Sequence, residues 1–170
     1  MLVFLDTEFT DLLDCDLISV GMVSLDGLHS LYLERSDYRA DWCSAFVQAA
    51  VLPQLGHVAA VDRAELADRL AAWFASLPPG VVVACDNRVD WELLLDAMGD
   101  HRPENLLGAY DLRETMSTPG FNHAAARYHE QAGGWHHALH DAQAHRHGWL
   151  AVQDHIKEPD YAHLLDHPTA

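Results

Sequence analysis

The sequence predicts an α/β layered fold built on a mixed sheet. Three observations predict it. An apolar run, Leu2 to Leu5, meets acid at Asp6-Thr7-Glu8 close to the start. Two further strand-like segments follow, with the hairpin signal Asp26-Gly27 between them. Helical periodicities then surround one all-apolar segment, Val81-Val82-Val83-Ala84-Cys85. A meander, helices, a buried strand and more helices make an α/β layer architecture. The first strand and the Val81 strand are apolar enough to lie at its centre.

Each element has its own signal. Leu17 to Val23 reads as the second strand and Leu28 to Glu34 as the third. Trp42 to Leu52 reads as a helix that stops before Pro53. Asp62 can cap the next helix, with Glu65 as its capping partner. Leu66, Leu70, Trp73, Phe74 and Leu77 follow at helical spacing, and Pro78-Pro79-Gly80 ends the run. Helix returns from Asp90 to Met98, residues 99–109 hold loop and a short strand, and Phe121 to Glu130 is helical again. Gln131-Ala132-Gly133-Gly134 breaks that helix. A long helix from about Ala138 to Ile156 carries the stripe Ala138, Ala142, His145, Trp149, Val152 and Ile156. The tail from Pro159 reads as frayed.

Length and composition bound the function. The 170 residues suit one domain spanning 1–170 with a real core. A hydrophobic fraction of 49% fits a globular chain and not a disordered one. No apolar run approaches the roughly 20 residues of a membrane helix, and the start lacks the basic flank of a signal peptide. The expected location is therefore the cytoplasm, with no membrane partner. Cys15, Cys43 and Cys85 are odd in number and form no CxxC pair, which argues for free thiols and against a disulfide framework or zinc ribbon. The net charge is −16. Such a surface repels long polyanions, so a nucleic-acid enzyme of this composition favours short or single-stranded ends over extended duplex.

Three groups of residues carry chemistry. Asp6 and Glu8 stand two apart after a buried run, so on a strand they share a face. Two such carboxylates repel each other and are costly to desolvate, and a divalent cation removes that cost. A strand already ended, with both acids in water, is the plainer alternative. Asp90, in Arg88-Val89-Asp90-Trp91, opens a helix after the Val81 strand, where the helix dipole favours an acid in any case; Asp86 competes with it. Asp141 lies at the edge of the long helix's apolar stripe and can point inward. His136 stands just outside that helix and can reach back toward the same spot. Ala138 and Ala142 are small enough to let the helix approach the sheet closely. Zinc is disfavoured, since there is no HExxH and no cysteine cluster; His145, on the stripe, reads as a packed histidine or a support for a ligand.

In order and spacing these groups resemble the DEDD exonuclease superfamily, over nearly the whole chain. Asp6 and Glu8 match its DxE motif. Val89-Asp90 and Leu94 match the (F/Y)DxxxL motif, with valine in place of the usual aromatic. His136, Ala138 and Asp141 match HxAxxD, the variant that gives the DEDDh branch its name. The small mycobacterial-type 3′–5′ exoribonucleases are similar in a DTEF opening and in Val-Leu-Pro-x-Leu, here Val51 to Leu55.

The resemblance implies a ribonuclease-H-like fold and a 3′→5′ exoribonuclease releasing 5′-mononucleotides from single-stranded RNA or 3′ overhangs. Two Mg²⁺ or Mn²⁺ ions per site would be held by Asp6, Glu8, Asp141 and Asp90, with Asp6 bridging, and would stabilise the attacking and leaving oxygens. His136 would take the proton from water. Substrate contacts fall on Phe9 and Thr10, which stand where the family commonly has Thr-Gly, and on Arg88. Phe9 can stack on a terminal base. The resemblance also allows a homodimer. Two alternatives remain at this level: a DNA-directed exonuclease of proofreading type, and a catalytically silent module of the same fold that binds nucleic acid.

Overall fold

A computed structural model describes residues 1–153. Ile156 and the tail from Pro159 lie outside the described residues. Five strands form one mixed sheet: β1 (Leu2–Phe9), β2 (Leu17–Ser24), β3 (Ser30–Glu34), β4 (Val81–Cys85) and β5 (Leu106–Asp111). Their order is β3-β2-β1-β4-β5. β1 pairs antiparallel with β2, and β2 with β3; β4 runs parallel to β1 and β5 parallel to β4. The expected mixed α/β sheet flanked by helices is present, with β1 in the middle and β4 beside it.

Helices α1 (Ala45–Ala50), α2 (Arg63–Ala75), α3 (Arg88–Met98), α4 (Arg113–Met116), α5 (Pro119–Ala132) and α6 (Ala138–Val152) complete the chain. Alternation along the strands divides the core. Val3 and Leu5 of β1, with Val81 and Val83 of β4, meet Leu66, Leu70 and Phe74 of α2 and Leu93, Leu94 and Met98 of α3. Leu2 and Phe4, with Val82 and Ala84, meet Phe121 and Ala125 of α5 and Ala142, Trp149 and Val152 of α6. By the same period, Asp6 and Glu8 face the α6 side.

Several boundaries differ from the sequence reading for local reasons. β1 continues through the acids to Phe9, which rules out the alternative of a strand already ended before them. The hairpin turn forms as expected, with Gly27 at φ 75°, but β3 begins at Ser30 instead of Leu28. The expected Trp42–Leu52 helix is shorter: Ser44 caps α1 by accepting from the Val47 N–H, and a 3₁₀ turn, Leu52–Gln54, follows. Asp62 caps α2 through the Glu65 N–H at 2.9 Å, but the Glu65 carboxylate pairs with Arg69 instead of reaching back to the cap. α3 begins at Arg88, because Asn87 accepts from the Val89 N–H at 3.0 Å. α4 had no periodic signal in four residues. No described helix is long and apolar enough to cross a membrane.

One contact places α6. Gly21 of β2 pairs with Asp6 of β1, so the two residues point to the same side. A Cβ on Gly21 would lie 2.2 Å from the Leu139 nitrogen and 2.3 Å from the Ala138 carbonyl carbon. The first turn of α6 therefore rests on bare strand backbone. Ala138 and Ala142 are fully buried in the same contact layer, as their size predicts. Gly21→Ala forces backbone against backbone, which no side-chain rotation relieves. We expect it to destabilise the fold by at least about 3 kcal/mol, the upper end of ordinary overpacking, read as the shift in chemical-denaturation midpoint. A loss below about 1 kcal/mol would show that α6 does not rest on the strand.

Candidate metal centre

The close seat of α6 brings three distant acids together. Oxygens of Asp6, Glu8 and Asp141 lie within 4.8 Å of one another. Asp6 also belongs to a second group, with Asp86 just past β4 and His145 one turn beyond Asp141 on α6, again within 4.8 Å. Both groups can hold a metal ion, and Asp6 is common to them. The register of β1 against β2 shifts between Glu8 and Phe9, so the strand is irregular where its acids end.

Asp90 lies beside these groups but in neither of them. It is buried, at 3% exposure, and its Oδ1 accepts from the Thr7 hydroxyl at 2.5 Å. Thr7 alternates with Asp6 and Glu8, so this bond ties α3 to the other face of β1. Asp86, the competing acid, is the one that offers an oxygen to Asp6. Its signal in the sequence was its place directly after the most strand-like segment.

The acids strain against one another. Burial pushes the Glu8 carboxyl up to about 8, and the Asp141 and Asp90 charges add to it. Burial likewise raises Asp90 to about 7 and Asp141 to about 6. Asp6 is raised well above the usual carboxylate range, first by burial and then by Asp90, Asp141, Glu8 and Asp86. This is a nest of carboxylates whose charge a hard divalent cation with oxygen ligands would compensate.

Asp141 also shapes the loop before it. Its Oδ2 accepts from the N–H groups of His136 at 2.9 Å and His137 at 3.1 Å. From the other side, Gln54 Nε2 donates to the carbonyls of Trp135 at 2.5 Å and His136 at 3.0 Å. Both peptide units flanking the His136 Cα are thus held at both ends. His136 is the one non-glycine described residue at positive φ, 67°, a conformation that persists only where surroundings over-determine it. Its ring is exposed and meets Phe46 edge-on, with 4.8 Å between centroids.

His129 of α5 lies against Asp141, though its Nε2 makes no hydrogen bond. Its Nδ1 lies 3.1 Å from the Gly133 carbonyl, and its Nε2 3.1 Å from Asp141 Oδ1. The first contact requires a proton on Nδ1, so the second is favourable only with a proton between ring and carboxylate. Trp135 stacks on this ring at 3.9 Å.

The other sequence candidates lie around the edge. Phe9 is half-buried and packs on the core under α2 and α3. Thr10 is fully buried; its hydroxyl donates to the Asp14 carbonyl and accepts from the Asp16 N–H, closing the loop after β1. Arg88 lies on the exposed surface of α3, paired with Glu92 at 2.7 Å. Gln54, His129 and Gly21 escaped the sequence reading: Gln54 fills only the variable position of Val51 to Leu55, the other two belong to no motif, and each acts through a contact between separate segments. No family model matches the chain, and no curated protein does.

The raised carboxyls make stability depend on pH with a definite sign. The folded protein holds protons that the unfolded chain has released, so stability falls as pH rises from the unfolded to the folded value. For Glu8 that interval runs from 4.5 to about 8. His129, His137, His140, His145 and His147 are shifted down from 6.5, chiefly by burial. They act oppositely, and their effect is complete above about 6.5. We therefore expect the metal-free protein to lose thermal stability between about pH 6.5 and 8, and Mg²⁺ or Mn²⁺ to raise Tm more at pH 8 than at pH 6.5. A Tm that is flat over this range and indifferent to divalent cations would contradict the carboxylate nest.

Proposed function

We propose that this chain is a metal-dependent 3′→5′ exonuclease of the DEDDh type, acting on RNA ends and releasing 5′-mononucleotides. The convergence of Asp6, Glu8 and Asp141, drawn from opposite ends of the sequence into one ligand group, carries the reading. The sheet order is compatible with a ribonuclease-H-like fold. His136 stands one loop away from that group with an exposed imidazole, where HxAxxD spacing would put a base.

In this reading Asp6, Glu8 and Asp141 hold one cation, and Asp6 contributes to a second. Divalent ions, when bound, supply Lewis-acid stabilisation of the charge on the phosphate. The protein's own groups do the rest. An imidazole nitrogen of His136 accepts the proton of the attacking water. The left-handed backbone, fixed by Gln54 and Asp141, orients that ring without using a side-chain hydrogen bond. Asp90, bonded to Thr7, is a further carboxyl beside Asp6. Trp135 and Phe46, at 55% and 57% exposure, offer faces on which unpaired bases can stack whatever their sequence. A surface of charge −16 gives little attraction for duplex, which fits a substrate of short single strands.

The test is digestion of matched RNA and DNA oligonucleotides with Mg²⁺ or Mn²⁺. We expect mononucleotide release from RNA 3′ ends, abolished in Asp6→Ala, with kcat reduced about 10²–10⁴-fold in His136→Ala. Both variants should keep the wild-type circular dichroism. Faster digestion of DNA would move the assignment to a DNA-directed enzyme. No turnover on single-stranded or overhang substrates would overturn the enzymatic reading in favour of a binding module.

A further inference from the structure

His145 is one of three buried histidines among the described residues, with His129 and His137, and its ring takes no part in this mechanism. It sits at 7% exposure on the sheet-facing stripe of α6, and its Nδ1 has no hydrogen-bond partner. Its Nε2 faces Asp86 Oδ2 at 3.9 Å, which is too long for a hydrogen bond. A direct ion pair would need a charged imidazole, and burial disfavours the charged form. The spacing is instead that of two ligands around a shared ion, since bonds of roughly 2.0–2.2 Å to each leave donor atoms about 3–4 Å apart. Asp6 supplies the third donor. The Asp86 side chain is about one-third exposed, which leaves a way in from solvent.

We propose that the second cation site is a mixed nitrogen–oxygen site made by Asp6, Asp86 and the imidazole of His145. It takes a divalent first-row transition ion of the Mn²⁺ type in preference to Mg²⁺. The two sites then differ in kind. Asp6, Glu8 and Asp141 offer only oxygen, which suits Mg²⁺ or Mn²⁺ alike. An imidazole donor favours transition ions, whereas Mg²⁺ keeps to oxygen ligands and water. The selectivity originates on α6: Asp141 and His145 are four residues apart, so one helix face presents a carboxylate to one ion and an imidazole to the other. The proposal rests on the metal-centre reading of the function, but its readout does not depend on turnover.

Mn²⁺ added to the full chain provides the probe. Pulsed electron paramagnetic resonance detects nitrogen directly bound to Mn²⁺ through its nuclear modulation. We expect two Mn²⁺ per chain and a clear imidazole modulation in the wild type. His145→Gln should abolish the modulation and lose one of the two ions. Asp86→Asn, which leaves the imidazole in place, should weaken the same ion and shrink the modulation. A tenfold excess of Mg²⁺ should displace the all-oxygen ion and leave the modulated signal. Bound Mn²⁺ without nitrogen modulation overturns the mixed site while leaving the exonuclease reading intact. So does modulation that survives in His145→Gln, which would assign the nitrogen to another histidine. A chain that binds no Mn²⁺ and cleaves no oligonucleotide overturns both.

Discussion

The site depends on α6 lying directly against the sheet at Gly21. The residue paired with Asp6 on the neighbouring strand has no side chain, and the Ala138–Leu139 backbone occupies the space that one would fill. A helix normally stands off a sheet by the thickness of the side chains between them. Here that spacer is missing at the one position flanking the first acid, so Asp141, in the first turn, meets Asp6 and Glu8 at ligand distance. Small residues further along, Ala142 and Ala144, keep the approach close until Trp149 fills the layer against Phe4.

That geometry concentrates charge, and the concentration orders the surroundings. Carboxyls from β1, α3 and α6 lie buried close to one another, and burial together with mutual repulsion raises their pKa values. One of them, Asp141, accepts from two backbone N–H groups at Oδ2 and so shapes the loop that holds His136. The acid that stands with Asp6 and Glu8 is thus also the acid that sets the backbone at His136. Any shift of α6 would move both together, which links a packing contact in the core to the geometry of the acid cluster.

Much of this was legible in the residues. The two-residue spacing of Asp6 and Glu8 gave their common face, and the stripe Ala138, Ala142, His145, Trp149 and Val152 is buried as its period requires. Val81 to Cys85 is a fully buried strand next to the centre. What escaped has a common physical cause. Gln54 is three contacts deep in acceptors, two of them more than 80 residues away, and no local pattern announces such a bond. Asn87 was hidden because the acid after it gave the louder helix-start signal. Glu65 stood in the right position for a capping box, yet Arg69, one turn on, offered its carboxylate a charged partner. Asp86 and His145 read as alternatives or as packing, because only the fold reveals that they face each other across Asp6.

The most direct measurement of the central claim is the anomalous scattering of Mn²⁺ in crystals of the protein. A manganese peak in contact with the carboxylates of Asp6, Glu8 and Asp141 together is expected. Manganese bound elsewhere, with those three carboxylates turned apart and sharing no ion, would contradict it.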